Sequence, residues 1–356
     1  MEQHENLSVV LYAKNDLRLE KRPIPEPGPK EVLLKIDSVG ICGSDVHYWQ
    51  TGRIGDFVLK KPMVLGHEAA GTIFRVGSGV RHLKAGDRVA IEPGIPREID
   101  EHCRNGRYNL SPTIFFSATP PDDGNLCQYN THDASYCYKL PESISFEEGA
   151  LIEPLSVAIH ACRRGGVTIG SKVFILGAGP IGLVNLLVSK SMGASQIVIC
   201  DLSLKRLEKA KQMGASFTIA VEQTMTPQEL GQKVKQTLGG AMPDISIECT
   251  GAELCVQGGV FATKSGGVLV LVGLGKPSAN IPILDLLVRE VDIRGVFRYC
   301  NTWPVAIDML ASKRINVKPL ITHRFPLEEA LEAFETTKKG VGIKVILKCD
   351  PSNKNP

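Results

Sequence analysis

Two rhythms of apolar and polar positions divide the chain. From Leu7 to about Leu140 apolar residues come in short alternating runs broken by Gly and Pro, as in EVLLKIDSVG, AGTIFRVG, GDRVAIEPG and YCYKLP. Alternation turns one face of a segment toward a core and the turn residues end each run. The pattern therefore predicts short strands in a mainly β domain, a distorted barrel or sandwich. Near residue 153 the rhythm changes: EPLSVAIHACRRGG has Pro154 at a helical start, an apolar periodic run and paired glycines as a stop. Beyond it, continuous apolar segments (SKVFILG, QIVICD, ISIECTG, GGVLVLVG, EVDIRGVF) alternate with helical ones (IGLVNLLVSKSMG, LKRLEKAKQMG). Strands apolar on both faces and separated by helices predict a doubly wound parallel sheet. After about Phe297, two helical stretches and a last strand, IKVILKC, are expected to return to the first domain. The expected division is 1–157, 158–297 and 298–356, with the third segment rejoining the first.

Composition narrows the function classes. A chain of 356 residues has the length of two domains, and 43% hydrophobic with 22% charged residues is ordinary for a globular protein. The net charge is +3 with no Lys/Arg tract, which argues against a nucleic-acid or membrane-surface partner. Ten cysteines are thinly spread, several in apolar runs such as QIVIC and ISIEC, where a free thiol behaves as a small hydrophobe. MEQHENLS lacks the features of a signal peptide, and no apolar run is long enough for a membrane span. A reduced, cytoplasmic protein without membrane insertion is expected.

The stretch VFILGAGPIGLVNLLVSKSMGASQIVICD sets Gly177, Gly179 and Gly182 in a G-x-G-x-x-G loop between a strand and a helix, with Ile181 inside it. The first glycine allows a tight turn, the second a close backbone approach to a pyrophosphate, the third helix–strand packing. The helix N-terminus then favours the phosphates. Asp201 ends the next strand, where a carboxylate binds ribose hydroxyls and repels a 2′-phosphate, favouring NAD over NADP. Arg206 is the competing signal for a 2′-phosphate and is read instead as packing near the adenine. The plainer reading is a structural βαβ turn with Asp201 as a helix cap.

VGICGSDVHYW (Val39–Trp49) has the look of a strand and its turn, yet carries a thiol and an imidazole, and LGHEAAG follows it. Cys42, His67, Glu68 and Glu153 are candidate ligands of a type that suits catalytic zinc, which keeps one position open. Each also has a plain role: Cys42 a buried hydrophobe, His67 an interior hydrogen-bonded histidine, Glu68 a local cap. Glu153 precedes Pro154, which disfavours helical geometry there and makes it a helix-start residue.

GHEAAGTIFRVGSGVRHLKAGDRVA resembles the zinc-dependent alcohol dehydrogenase signature of the medium-chain dehydrogenase/reductase superfamily, and CGSDVHYW resembles its first zinc segment. GICGSDVHYW, ATPPDDGNL, EEGALIEPLSV, HACRRGG and GVFRYCNTWP further resemble its polyol-oxidising members. The resemblance implies a Rossmann sheet domain plus a discontinuous, mainly β, GroES-like catalytic domain. It implies oxidation of polyols (sorbitol to fructose, also xylitol and L-iditol) with hydride passed reversibly to NAD.

By the same resemblance Cys42, His67 and Glu68 hold a catalytic zinc, with Glu153 in its shell directly or through water. Ser44 and His47 would carry the proton; a turn hydroxyl and a surface histidine are their plain alternatives. Tyr48, Glu153, Arg298 and Tyr299 would line the polyol site. Val272, Gly273, Leu274, Val296, Phe297 and Arg298 would face the nicotinamide end of NAD, with VFRYC at the interdomain cleft; alone, VFRY reads as a strand with an edge arginine. Relatives with a second, structural zinc use four cysteines, but PREIDEHCRNGRYNLSP has Arg97, Asp100, Cys103 and Ser111 there. One zinc per chain and no structural zinc are expected, in a homotetramer. Two rivals are a dehydrogenase of this scaffold acting on xylitol, another pentitol or threonine, and a non-catalytic or zinc-free quinone-reductase relative. The latter typically lack the Cys and His-Glu pair.

Overall fold

The structure, a computed structural model, describes residues 5–350; the outermost residues of the expected domains, 1–4 and 351–356, lie outside them. The chain forms two compact units. The first runs to Glu153 and resumes over Trp303–Lys313 and from Val317, and the second comprises Pro154–Thr302 and Arg314–Asn316. These boundaries fall a few residues from the expected 157/158 and 297/298.

The first unit is built from the alternating segments. Its largest sheet runs Cys137–Lys139, Arg88–Ile91, Glu68–Val76, Glu31–Gly40, Lys344–Lys348, Ile321–Pro326, and Tyr129–Asp133 also pairs with the Glu31–Gly40 strand. The last strand inserts beside the Glu31–Gly40 strand: Ile346, Leu347 and Lys348 pair antiparallel with Gly40, Val39 and Ser38. On its other side the Glu31–Gly40 strand pairs with Glu68–Val76, setting Gly40 opposite Glu68. Val32, Leu34, Ile36, Val39, Ile73 and Ile91 bury one continuous core with Phe334, Val345 and Leu347 of the returning segment. Removing such side chains from water is the main source of stability.

The second unit holds six parallel strands with Lys172–Leu176 first in chain order. In space they run Phe217–Ala220, Gln196–Asp201, Lys172–Leu176, Ile245–Glu248, Val268–Leu271, Asp292–Gly295. The order reverses beside the first strand, the switch point at which such sheets bind ligands outside their carboxyl ends. Val173–Leu176 and Ile197–Cys200 are buried throughout, as strands covered on both faces require.

Three local expectations are corrected. The strand at Val39 ends at Gly40, and Gly43–Thr51 is an α-helix rather than a turn. Asp45, at its third position, accepts from the Cys42 backbone N–H (2.9 Å), and Val46, Tyr48 and Trp49 are buried. Glu153 is helical, inside Ile152–Gly165. Pro154 sits in the first turn, where a missing N–H costs no helical hydrogen bond. VFRY is not strand: the last strand of the second sheet stops at Gly295, and Arg298 takes a left-handed backbone (φ 54°) that breaks extension.

Candidate active site

The opposed strands Glu31–Gly40 and Glu68–Val76 bring the metal candidates together. Cys42 follows the end of one and His67–Glu68 opens the other. One ligand atom from each of Cys42, His67 and Glu68 lies within 4.8 Å of the other two, and no other such cluster forms among the described residues. Gly66 makes the approach possible with a left-handed turn (φ 88°) just before His67. Gly40 leaves room for the carboxylate, since a Cβ there would stand 2.1 Å from Glu68 Oε2.

The surroundings order the donors. Asp45, fully buried, accepts from the N–H groups of Cys42 (2.9 Å) and Gly66 (3.1 Å), and its Oδ1 lies 3.5 Å from His67 Nδ1. A carboxylate behind an imidazole in this way fixes ring orientation and leaves the other nitrogen for a metal. Burial opposes a charged His67, yet the Asp45 and Cys42 charges together hold its pKa well above the ordinary value. A buried pocket that so favours a proton on its imidazole is one that a cation satisfies. The residues fit zinc.

Glu68 has a second claimant. Lys344, from the returning strand, donates to both of its oxygens (2.7 Å each) and to the Ile41 carbonyl (3.3 Å). Burial works against the Lys344 cation, but Glu68, Cys42 and Glu153 raise its pKa above the ordinary lysine value. Glu153 is itself buried and feels this pocket, yet it does not join the close triad. Ser44, His47 and Tyr48 share one helix, half-buried, exposed and buried in turn. Spacings of three and four residues put Ser44 beside both others.

In the second unit the glycine loop behaves as its motif demands. Gly177 is left-handed (φ 98°), and a Cβ on Gly182 would stand 1.8 Å from the Gly177 carbonyl oxygen. Asp201 accepts from Ala178 N–H with one oxygen and Ser203 N–H with the other (2.8 Å each). It thus braces the loop, while the helix cap expected of it by the plainer reading is supplied by Ser203. A Cβ built on Gly179 would lie 3.9 Å from Arg206 Nη1, so the guanidinium flanks the loop rather than pointing away from it. Ile181 is half-buried in the first turn of Pro180–Ser191.

Val272, Gly273 and Leu274 follow the fifth strand, and the Val272 and Gly273 N–H groups donate to the Glu248 carbonyl (2.9 and 3.0 Å). Val296 donates to Leu271 O (3.0 Å), Phe297 is exposed beneath the Arg298 guanidinium (4.6 Å from its ring centre), and Tyr299 is buried.

The four positions of the cysteine-poor lobe are otherwise engaged. Arg97 pairs with Asp122 (2.6 Å), Asp100 caps a short helix through Cys103 N–H (2.9 Å), and the Cys103 thiol donates to Glu98 O (3.3 Å). Ser111 is buried. The lobe is tied to the sheet by Glu92, fully buried, which accepts from Tyr108 (2.5 Å) and Tyr138 (2.9 Å). Asp45 lies inside CGSDVHYW but is given no role there, and Lys344 and Glu92 are not singled out by the sequence. Only the capping-box spacing of Asp45 after Cys42 offered a sequence signal.

Two domain-family models match the chain: the alcohol dehydrogenase GroES-like domain over residues 28–142 and the zinc-binding dehydrogenase over 180–312. The class of protein is therefore a zinc-binding dehydrogenase. Sorbitol dehydrogenase of Gallus gallus is 68% identical over 352 residues, 99% of both chains. The solved L-idonate 5-dehydrogenase of Escherichia coli superposes with a TM-score of 0.88 at 32% identity, covering 97% of this chain and 98% of that one. An E. coli short chain alcohol dehydrogenase solved with NADH superposes with a TM-score of 0.89 at 28% identity over 97% and 99%. The chain belongs to the sorbitol dehydrogenase family of zinc-containing medium-chain dehydrogenases.

Proposed function

We propose that the chain oxidises polyols, sorbitol to fructose and also xylitol and L-iditol, by reversible hydride transfer to NAD with one catalytic zinc. The observation that carries this reading is the convergence of Cys42, His67 and Glu68 within 4.8 Å in a unit whose partner bears a complete dinucleotide loop. Zinc held there supplies a Lewis acid for the reacting hydroxyl, and NAD on the glycine loop supplies the hydride acceptor. Asp45 orients His67. Ser44 takes the hydroxyl proton and passes it to His47, whose exposed ring delivers it to water. To the remaining hydroxyls we assign Tyr48, Glu153, Arg298 and Tyr299, because a site that pairs each hydroxyl rejects simpler alcohols strongly. Asp201 favours NAD over NADP through its charge.

Arg97, Asp100, Cys103 and Ser111 support a single zinc, being one thiol among residues already capping, pairing or buried. A homotetramer is the assembly we infer. The exposed apolar side chains Ile283, Leu284, Leu287 and Val288 support it as surface that subunits would cover. None of the ten cysteines forms a disulfide, which supports a cytoplasmic location, and no described helix is long and apolar enough to cross a membrane.

NAD reduction with sorbitol, xylitol and ethanol, before and after chelation, tests the reading. Polyol oxidation well above ethanol oxidation, lost on chelation and restored by zinc, is expected. Activity indifferent to zinc, or absent for every polyol, would overturn it.

A further inference from the structure

Lys344 enters the metal pocket from the last strand, 276 residues from the glutamate it binds. Its side chain is 4% exposed and that of Glu68 1%. The ammonium has three N–H donors and three acceptors, the two Glu68 oxygens and the Ile41 carbonyl, so it is fully satisfied without solvent. Gly40 leaves a seat open to the carboxylate, since a Cβ there would stand 2.1 Å from Glu68 Oε2. One carboxylate oxygen of Glu68 also lies within 4.8 Å of the Cys42 and His67 ligand atoms. Glu68 thus stands between a permanent cation and the metal position, and the two compete for it.

We propose that Lys344 is a positioning residue of the catalytic centre: it tethers Glu68 and, by competing for the same carboxylate, moderates how tightly the Cys42–His67–Glu68 pocket would hold zinc. The proposal rests on the dehydrogenase reading above. Lys344 brings one positive charge to a pocket that also holds the Cys42 thiol and the Glu68, Asp45 and Glu153 carboxylates, and that charge favours a developing alkoxide. The arrangement has an opposite cost in binding, since a cation beside the site repels zinc and occupies its ligand.

The test uses the full-length enzyme with wild type, Lys344→Met and Lys344→Arg. Zinc affinity is measured by chelator competition, melting temperature with and without zinc, and polyol turnover. In Lys344→Met the metal-free protein keeps Glu68 buried without its cation, so its melting temperature falls more than that of the zinc-loaded form. Zinc affinity rises about tenfold or more, a gain of about 1.4 kcal/mol, while kcat falls. Lys344→Arg moves all three back toward wild type. If Lys344 only ties the strands together, Lys344→Met lowers both melting temperatures equally and leaves zinc affinity unchanged or weaker. That result overturns the proposal while leaving the dehydrogenase reading intact. A wild-type protein that takes up no zinc would sink both together.

Discussion

Asp45 holds three things at once: the start of a helix, the turn before His67 and the imidazole itself. It lies outside the close donor triad yet braces the segments that carry Cys42 and His67. His67→Ala or Cys42→Ala is expected to abolish zinc binding and turnover while NAD binding remains measurable. Asp45→Asn, which keeps the shape but loses the charge facing His67, should weaken zinc by about ten- to a hundredfold. Metal content after gel filtration and fluorescence titration with NADH read the two functions separately. Loss of NADH binding with zinc retained would contradict the assignment. Cys42, His67 and Glu68 were legible as candidates because thiol, imidazole and carboxylate are chemically conspicuous. Only the pairing of two strands brings their ligand atoms within 4.8 Å of one another.

At the scale of elements, two turns carry the chemistry. One is the glycine loop, where the three glycines are not equivalent. A Cβ on Gly182 collides with the Gly177 carbonyl at 1.8 Å, whereas one on Gly179 meets only the tip of Arg206 at 3.9 Å. Gly182→Ala should therefore cost about 1–3 kcal/mol of stability together with NAD affinity. Gly179→Ala should melt near wild type and lose NAD affinity alone. Thermal melts paired with NADH titration separate them, and equal melting temperatures for both variants would refute this division of labour. The other turn is the helix after Gly40. VGICGSDVHYW has the look of a strand and its turn, yet the strand ends at Gly40 and Gly43–Thr51 is helical. The deciding interaction is a single side chain, Asp45, capping back onto Cys42 N–H. Similarly, Glu153 before Pro154 looked non-helical by local sterics alone. The buried surroundings of Ile152–Leu155 outweigh that preference.

For the molecule as a whole, stability should carry the mark of Glu92. Burial pushes its carboxyl up to about 7 from 4.5, against the opposing hydrogen bonds of Tyr108 and Tyr138. Between those two values the folded protein keeps a proton that the unfolded chain has released. Stability then falls as pH rises from about 4.5 to about 7, by about 3 kcal/mol, and is insensitive to this group above that window. Glu92→Gln cannot titrate and should lack that fall. Denaturant unfolding of both proteins at pH 5 and pH 7.5 measures it, and equal pH dependence would show that Glu92 is not the group responsible. Glu92 was invisible beforehand because a glutamate after an apolar strand usually points to water. Tyr108 and Tyr138 reach it from segments 16 and 46 residues away.

What the sequence determined by itself was whatever depends on neighbours along the chain. Periodicity separates β-rich from alternating segments, turn chemistry marks the glycine loop, and residue type marks the metal donors. Steric and hydrogen-bonding rules of that kind act over a few residues, so they can be read locally. The tertiary structure alone decided which donors meet, that Asp45 faces His67, and that Lys344 crosses 276 positions to seize Glu68. Strand pairing between distant segments is fixed by burial of the whole core, with the last strand seated against Ser38–Gly40. No local pattern encodes that choice, because its free energy comes from removing both partners from water at once.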